Sequence, residues 1–223
     1  MIMDKIVVIV AGGSGSRMGS ELPKQFIKVH GLPVLMHTIL AFHRYDSSME
    51  IRVVLPEGEL ERWKSLCVEY NFKIPHNLFT GGKKRFYSVR NGLSNIREKK
   101  LVAVHDGVRP LVSRDTITRC FEAAEKKGAV VPVIPLRESL RKLQAKNSVA
   151  ENRDYYRLVQ TPGVFHSDIL LKAYDTEYRE FFTDDASVVE AAGYKIHLTE
   201  GNPENIKLTS PADILMAESL MGD

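Results

Sequence analysis

The run Ile6-Val7-Val8-Ile9-Val10, followed at once by Ala11-Gly12-Gly13-Ser14-Gly15-Ser16-Arg17-Met18-Gly19, constrains this chain more than any other feature. Consecutive β-branched residues favour extended backbone and leave no polar face, so the run reads as a strand buried on both sides. Strands of that kind belong to parallel sheets covered by helices. The glycines that follow allow the backbone to pass close to a ligand and to aim N–H groups at phosphate oxygens. An open parallel sheet binds its ligands at such strand ends.

The rest of the chain repeats the theme. Pro33 to Tyr45 reads as a helix, Ile51 to Leu55 as a strand, and Glu57 to Tyr70 as a helix with Leu60, Trp63, Leu66 and Cys67 on one face. Asn77 to Thr80, Leu101 to His105 and Ala129 to Val133 are strand-like, separated by helical stretches at Arg85 to Ile96 and Arg114 to Lys127. Further helices are expected at Ser167 to Tyr178, Asp184 to Ala192 and from Pro211, with a strand at Tyr194 to Thr199. This alternation predicts an α/β fold: a Rossmann-like, mostly parallel sheet with helices on both faces. The rhythm breaks between about residues 135 and 160, where charged and apolar residues alternate on both sides of a polar tip near Lys146-Asn147-Ser148. That segment reads as a protruding β-hairpin. An isolated hairpin is marginal in water, so a dimerisation arm that packs on a second subunit is the simplest expectation.

Size and charge narrow the function. A length of 223 residues suits a single domain, residues 1–223, with the arm as an insertion. The balance of 31 basic against 28 acidic residues, +3 overall, argues against a sequence-independent nucleic-acid binder. No apolar run approaches the roughly 20 residues of a membrane helix, and Asp4 and Lys5 lead straight into the first strand without a signal-peptide pattern. Cys67 and Cys120 are the only cysteines and read as core residues. A cytoplasmic location is expected.

Two familiar phosphate loops do not fit. No register places Lys and then Ser or Thr after the second glycine of a P-loop, and the third glycine of a dinucleotide fingerprint falls one place late, at Gly19. Cations set this loop apart: Arg17 lies inside it and Pro23-Lys24-Gln25-Phe26 follows. A planar guanidinium and a compact ammonium suit the charge that develops in phosphoryl or nucleotidyl transfer.

Ala-Gly-Gly-x-Gly-x-Arg-Met followed by Pro-Lys-Gln-Phe resembles the signature of the sugar- and polyol-phosphate cytidylyltransferases. Gly81-Gly82-x-x-Arg85-x-x-Ser88-Val89-x-Asn91-Gly92 is similar to the second nucleotide-binding motif of that family, and His105-Asp106-Gly107-Val108-Arg109-Pro110 to its strand-end motif. Gln160-Thr161-Pro162, Thr183-Asp184-Asp185-Ala186-Ser187 and Asn205-Ile206-Lys207-Leu208-Thr209 follow in the family's order. The likeness runs from about Lys5 to Leu220.

The resemblance implies a transferase that makes a CDP-alcohol and pyrophosphate from CTP and a polyol phosphate, with no protein nucleophile. It implies Arg17, Lys24 and Lys207 as catalytic cations, with Mg²⁺ bound mainly through the CTP phosphates and no metal ligand assigned. The nucleotide would lie against Ala11, Gly12, Gly13, Gly15, Gly82, Lys83, Arg85, Ser88, Asp106 and Gly107. The acceptor would be held by Asp106, Arg109, Ser139, Arg153, Thr161, Thr183 and Lys207, with Arg153 reaching from the arm into the partner subunit of a homodimer. Asp106 is open between ribose, acceptor and metal. Within the family, Thr183-Asp184-Asp185-Ala186-Ser187 points to methylerythritol phosphate and isoprenoid biosynthesis. A ribitol-5-phosphate enzyme, expected to carry Thr-Asp-Ala-Cys-Lys, is the alternative. An inactive nucleotide-binding regulator would have lost a catalytic cation, and all of them are present.

Some residues depart from the family pattern. Lys83 stands where an acidic residue is frequent, Gly107 replaces Ala, Gly163 replaces Gln, and Glu138-Ser139 replaces Asp-Thr. His105 is read as a packed histidine, because adjacent strand residues point to opposite faces and it cannot share a face with Asp106. Asp184 and Asp185, at a helix start, read as capping residues.

Overall fold

The computed structural model describes residues 3–12, 22–97 and 99–222. Its centre is a sheet built around β1 (Lys5–Val10), which pairs in parallel with β4 (Glu50–Leu55) on one side and β6 (Leu101–Asp106) on the other. Beyond β4 lies β5 (Asn77–Thr80), also parallel. Beyond β6 the sheet turns mixed. The strand β11 (Gly163–His166) runs antiparallel between β6 and β7 (Ala129–Pro135), while β10 (Arg157–Val159) pairs antiparallel and β12 (His197–Glu200) parallel with β7. The fold is therefore α/β, with a sheet that is parallel from β6 through β1 and β4 to β5, as the alternation predicts. The insertion of β11 in mid-sheet was not predicted. Four residues following Pro162 carry no period by which to recognise them, and burial on both faces settles their state.

Strand alternation sorts the core into two layers. Val7, Ile9, Ile51, Val53 and Ala103 pack with α1 (Val34–Tyr45), α2 (Leu60–Glu69) and α4 (Arg114–Lys127) on one face. Ile6, Val8, Val54, Val102 and Val104 pack with α3 (Arg85–Gly92), α5 (Ser167–Tyr174) and α6 (Asp185–Ala191) on the other. Several helices are shorter than their apolar patterns suggest. The third ends at Gly92 and gives way to a turn with Asn95 in the left-handed region (φ 62°), a conformation that Asn tolerates.

A small antiparallel pair, β2 (Lys28–Val29) and β3 (Leu32–Pro33), leads into α1, and α7 (Pro211–Met221) closes the described chain. The expected arm is present: β8 (Leu140–Leu143) pairs antiparallel with β9 (Ser148–Glu151). The chain then returns to the main sheet through β10. The arm carries exposed apolar side chains, including Leu143 (83% exposed) and Tyr155 (85%).

Candidate active site

Three strands end level with one another. The amide of Ala11 donates to the Val54 carbonyl at 2.9 Å, that of Gly81 to Leu55 at 2.7 Å, and that of Gly107 to Val10 at 2.9 Å. These bonds carry the pairing one residue past the strands and open a rim at the carboxyl edge, where a parallel sheet presents its ligands.

Two adjoining cavities share this rim. The first, about 200 Å³, is lined by Ala11, Gly12, Gly82, Lys83, Arg85 and Ser88, with Lys24 and Lys207 at its walls. The second, about 190 Å³, is lined by Arg109, Thr161, Thr183 and Asp184. Asp106, Arg85 and Lys207 border both. Ala11, Gly12, Gly82, Lys83, Arg85 and Ser88 of the nucleotide set and Arg109, Thr161 and Thr183 of the acceptor set thus fall into two neighbouring spaces.

Ser88 shapes the first cavity. Its hydroxyl accepts from the Gly82 amide at 3.1 Å and donates to the Lys84 carbonyl at 3.4 Å. Asn91, one turn on in α3, donates to the Thr80 carbonyl at 2.8 Å. The second glycine motif is therefore strapped to the helix that follows it. Gly12 faces Ser88 closely enough that a Cβ there would stand 3.6 Å from the hydroxyl oxygen. Gly107 does not line either cavity. A Cβ on it would lie 2.8 Å from the Ala11 Cβ and 3.2 Å from Leu35 Cδ1, so its lack of a side chain serves the packing of β6 against β1. This packing role has no signal in the local sequence. Gly163 is similarly confined by the Phe165 ring.

Asp106, 7% exposed, is the electrostatic centre. Its Oδ1 meets Arg85 Nε at 3.4 Å, and its Oδ2 meets Arg109 Nε at 3.2 Å and Lys207 Nζ at 3.0 Å. Burial alone would push its carboxyl up, but Arg85, Lys207 and Arg109 outweigh that and hold it well below the usual carboxylate range. Arg85 forms a two-pronged bond to Asp185, at 2.9 and 2.8 Å, and Tyr174 donates to the same carboxylate at 2.6 Å. Burial opposes the Arg85 charge, yet Asp185 and Asp106 raise its pKa well above the ordinary value. Asp184 caps α6 by accepting from the Ser187 amide at 2.8 Å. Among the described residues no group of three His, Cys, Asp or Glu side chains could hold an ion.

Other expected residues fall elsewhere. Arg17, Gly13 and Gly15 lie outside the described residues. Ser139 and Arg153 are exposed on the arm and line neither cavity of their own chain. The Arg153 guanidinium donates to the Arg137 carbonyl. Sequence reasoning did not find Tyr174, whose hydroxyl is joined to the site only through tertiary contact. It also set aside His105, which on the α1 face packs edge-on against Phe42 at 4.9 Å. That face is opposite Asp106, as strand alternation requires. From there its Nδ1 still reaches Thr161 Oγ1 at 3.0 Å.

Comparison with known proteins agrees with this geometry. The family model described as IspD: 2-C-methyl-D-erythritol 4-phosphate cytidylyltransferase matches residues 5–223. A protein of that name from Bacteroides thetaiotaomicron is 51% identical over 219 residues, covering 98% of this chain and 100% of the relative. The crystal structure of 2-C-methyl-D-erythritol 4-phosphate cytidylyltransferase from Thermus thermophilus matches with a TM-score of 0.77 and 32% identity, over 99% of this chain and 98% of that one. The 4-diphosphocytidyl-2C-methyl-D-erythritol synthase structure from Anaerococcus prevotii gives 0.83 at 26% identity, over 98% and 96%. With Asp106 set among its cations and the described family motifs on one rim, the chain belongs to the IspD family of 2-C-methyl-D-erythritol 4-phosphate cytidylyltransferases.

Proposed function

We propose that this protein converts CTP and 2-C-methyl-D-erythritol 4-phosphate to 4-diphosphocytidyl-2-C-methyl-D-erythritol and pyrophosphate. The observation that carries the reading is the pair of adjoining cavities bordered in common by Asp106, Arg85 and Lys207. One cavity suits a nucleotide and the other a phosphorylated alcohol. Family membership supplies the identities.

The acceptor's phosphate oxygen attacks the α-phosphorus of CTP in line. The bond from that phosphorus to the bridging oxygen breaks, and pyrophosphate leaves with the electron pair. No protein group needs to become covalently attached, so positioning and charge neutralisation supply the rate. Lys24 and Lys207 meet the phosphates across the first cavity, and the family resemblance adds Arg17, which lies outside the described residues. The backbone of Gly12 and Gly82 and the Ser88 strap form the slot for cytosine. Arg109, Thr161, Thr183 and Lys207 hold the acceptor. Asp106, committed to three cations, keeps them aimed at the shared space and remains available to a sugar hydroxyl.

Magnesium fits this donor set as an ion carried by the nucleotide. Asp106 is already paired with three cations, so Mg²⁺ would be held mainly by the substrate phosphates, with no protein ligand assigned. Bound there, it would neutralise phosphate charge. The exposed apolar residues of the arm support a homodimer, in which Arg153 and Ser139 serve the partner's acceptor cavity. A cytoplasmic location accords with bacterial biosynthetic relatives. No helix among the described residues is long and apolar enough to cross a membrane.

The test is pyrophosphate release with CTP, Mg²⁺ and a panel of polyol phosphates. Turnover with methylerythritol phosphate is expected. Turnover with ribitol 5-phosphate alone would reassign the acceptor, and none with any would refute the enzymatic reading.

A further inference from the structure

Beneath the acceptor cavity, four residues form a closed ring. His105 Nδ1 lies 3.0 Å from Thr161 Oγ1, and its Nε2 lies 3.1 Å from the Arg109 carbonyl. The Asn205 side chain donates to the Thr161 carbonyl at 2.7 Å, and the Asn205 main-chain carbonyl accepts from the Arg109 guanidinium at 2.7 Å. Thr161 and Arg109 border the cavity, whereas His105 and Asn205 do not and are both 0% exposed.

The proton inventory of the ring has one solution. A carbonyl only accepts, so His105 Nε2 carries the hydrogen toward Arg109. Burial pushes His105 down to about 4, overriding the bond to Arg109, so near neutral pH the imidazole bears a single N–H proton. Its Nδ1 is then bare and accepts the Thr161 hydroxyl proton. The same hydroxyl oxygen accepts from the Asp106 amide at 3.2 Å. The Thr161 side chain is thus held in one rotamer from two directions. Arg109 is held at its carbonyl by His105 and at its guanidinium by Asn205, leaving its Nε on Asp106 at 3.2 Å. The Ser88 strap of the nucleotide cavity shares no bond with this ring.

We propose that His105 and Asn205 are positioning residues for the acceptor alone: they set Thr161 and Arg109 without touching substrate and leave nucleotide binding unaffected. The inference rests on the reading that this cavity takes a polyol phosphate. An unmade buried hydrogen bond is expensive, so without the ring Thr161 and Arg109 would turn to other partners and lose the geometry that the acceptor meets.

The test compares His105→Phe, His105→Gln and Asn205→Leu with the wild type. Pyrophosphate release is measured with methylerythritol phosphate and CTP varied in turn, and CTP binding by calorimetry without acceptor. His105→Phe keeps an aromatic ring against Phe42 and removes both nitrogen contacts. It should raise the acceptor KM roughly tenfold, the equivalent of a lost buried hydrogen bond, while kcat and CTP affinity stay within about threefold. Asn205→Leu should behave alike. His105→Gln, whose amide can still donate to the Arg109 carbonyl, should recover part of the loss. An unchanged acceptor KM, or an equal rise for both substrates, would overturn the proposal. Should His105→Phe fail to melt cooperatively, the Gln and Asn205 variants carry the same comparison. A wild type that turns over no polyol phosphate would refute the functional reading itself, a result distinct from active variants with unaltered acceptor KM.

Discussion

Arg85 and Asp185 meet in a two-pronged ion pair, at 2.9 and 2.8 Å, across a sequence separation of 100 residues. The Asp185 side chain is only 4% exposed, and the pair ties α3 to α6 beside Asp106. Removing one partner of such a pair strands the other charge. Asp185→Asn should therefore lower stability by about 3 kcal/mol, read from denaturant midpoints at constant m-value. Tyr174→Phe should lower it by about 1–2 kcal/mol, since the lost bond goes to a charged acceptor while the ring keeps its stack on Phe86. Equal midpoints in wild type and both variants would contradict the assignment.

Lys24 borders the nucleotide cavity. Lys24→Ala should reduce kcat by about a hundredfold to a thousandfold, as expected for loss of a preorganised charge at the transition state. The variant should still unfold in a single cooperative transition. Pyrophosphate release under saturating CTP measures the first and differential scanning calorimetry the second. Activity within a few fold of normal would remove Lys24 from the catalytic set.

Gly92, in the second glycine motif, has a structural duty. A Cβ there would stand 2.5 Å from Val8 Cγ1 and 2.8 Å from Val54 Cγ2, because α3 packs directly on the sheet. Gly92→Ala should destabilise the protein by about 1–3 kcal/mol, the range for overpacking a filled core. A gain in stability, as for a glycine in an open helix, would show that the helix can move away.

His105 also makes the fold acid-sensitive. In the folded chain burial holds its pKa at about 4, against an ordinary value of 6.5. Between these values the unfolded chain binds more protons, so stability rises with pH and is lost as pH falls from about 6.5 to about 4. His37 and His76, pushed down chiefly by burial, act with the same sign. The wild type should lose on the order of 2 kcal/mol more than His105→Gln across that window. Parallel stability curves for the two would contradict a buried neutral histidine.

Arg153 offers a test of the dimer. Arg153→Ala should raise the acceptor KM about tenfold or more, as expected when one partner of a charge-assisted contact is removed, with little change for CTP. If Arg153 serves the neighbouring subunit, mixing Arg153→Ala and Lys24→Ala protomers should restore activity, because one site of each mixed dimer is then intact. Failure of mixtures to recover, with exchange of subunits demonstrated, would return Arg153 to its own chain.

Much of this was legible in the residues. The apolar run at Ile6–Val10 announced a strand buried on both faces, and β1 lies inside the sheet between β4 and β6. The arm was visible in the break of rhythm after Pro135. The motif residues converge on one rim because most of them follow strands of the same sheet. The packing duty of Gly107 was not legible, since its neighbours Ala11 and Leu35 come from the end of β1 and from α1, and no local pattern names them.

The amino-acid sequence by itself determined most of the strands and helices, β11 and the short β2–β3 pair excepted, and which residues carry charge at strand ends. Hydrophobic period and turn chemistry are local properties, readable within a dozen residues. Only the tertiary structure decided who meets whom. Asp106 gathers Arg85 and Lys207 from distant elements, and His105 reaches Thr161, 56 residues away, from the opposite face of the strand. The His105–Thr161 contact follows from the insertion of β11 between β6 and β7, which brings Thr161 beside the end of β6. Pairing order depends on the packing of the whole sheet rather than on any one segment.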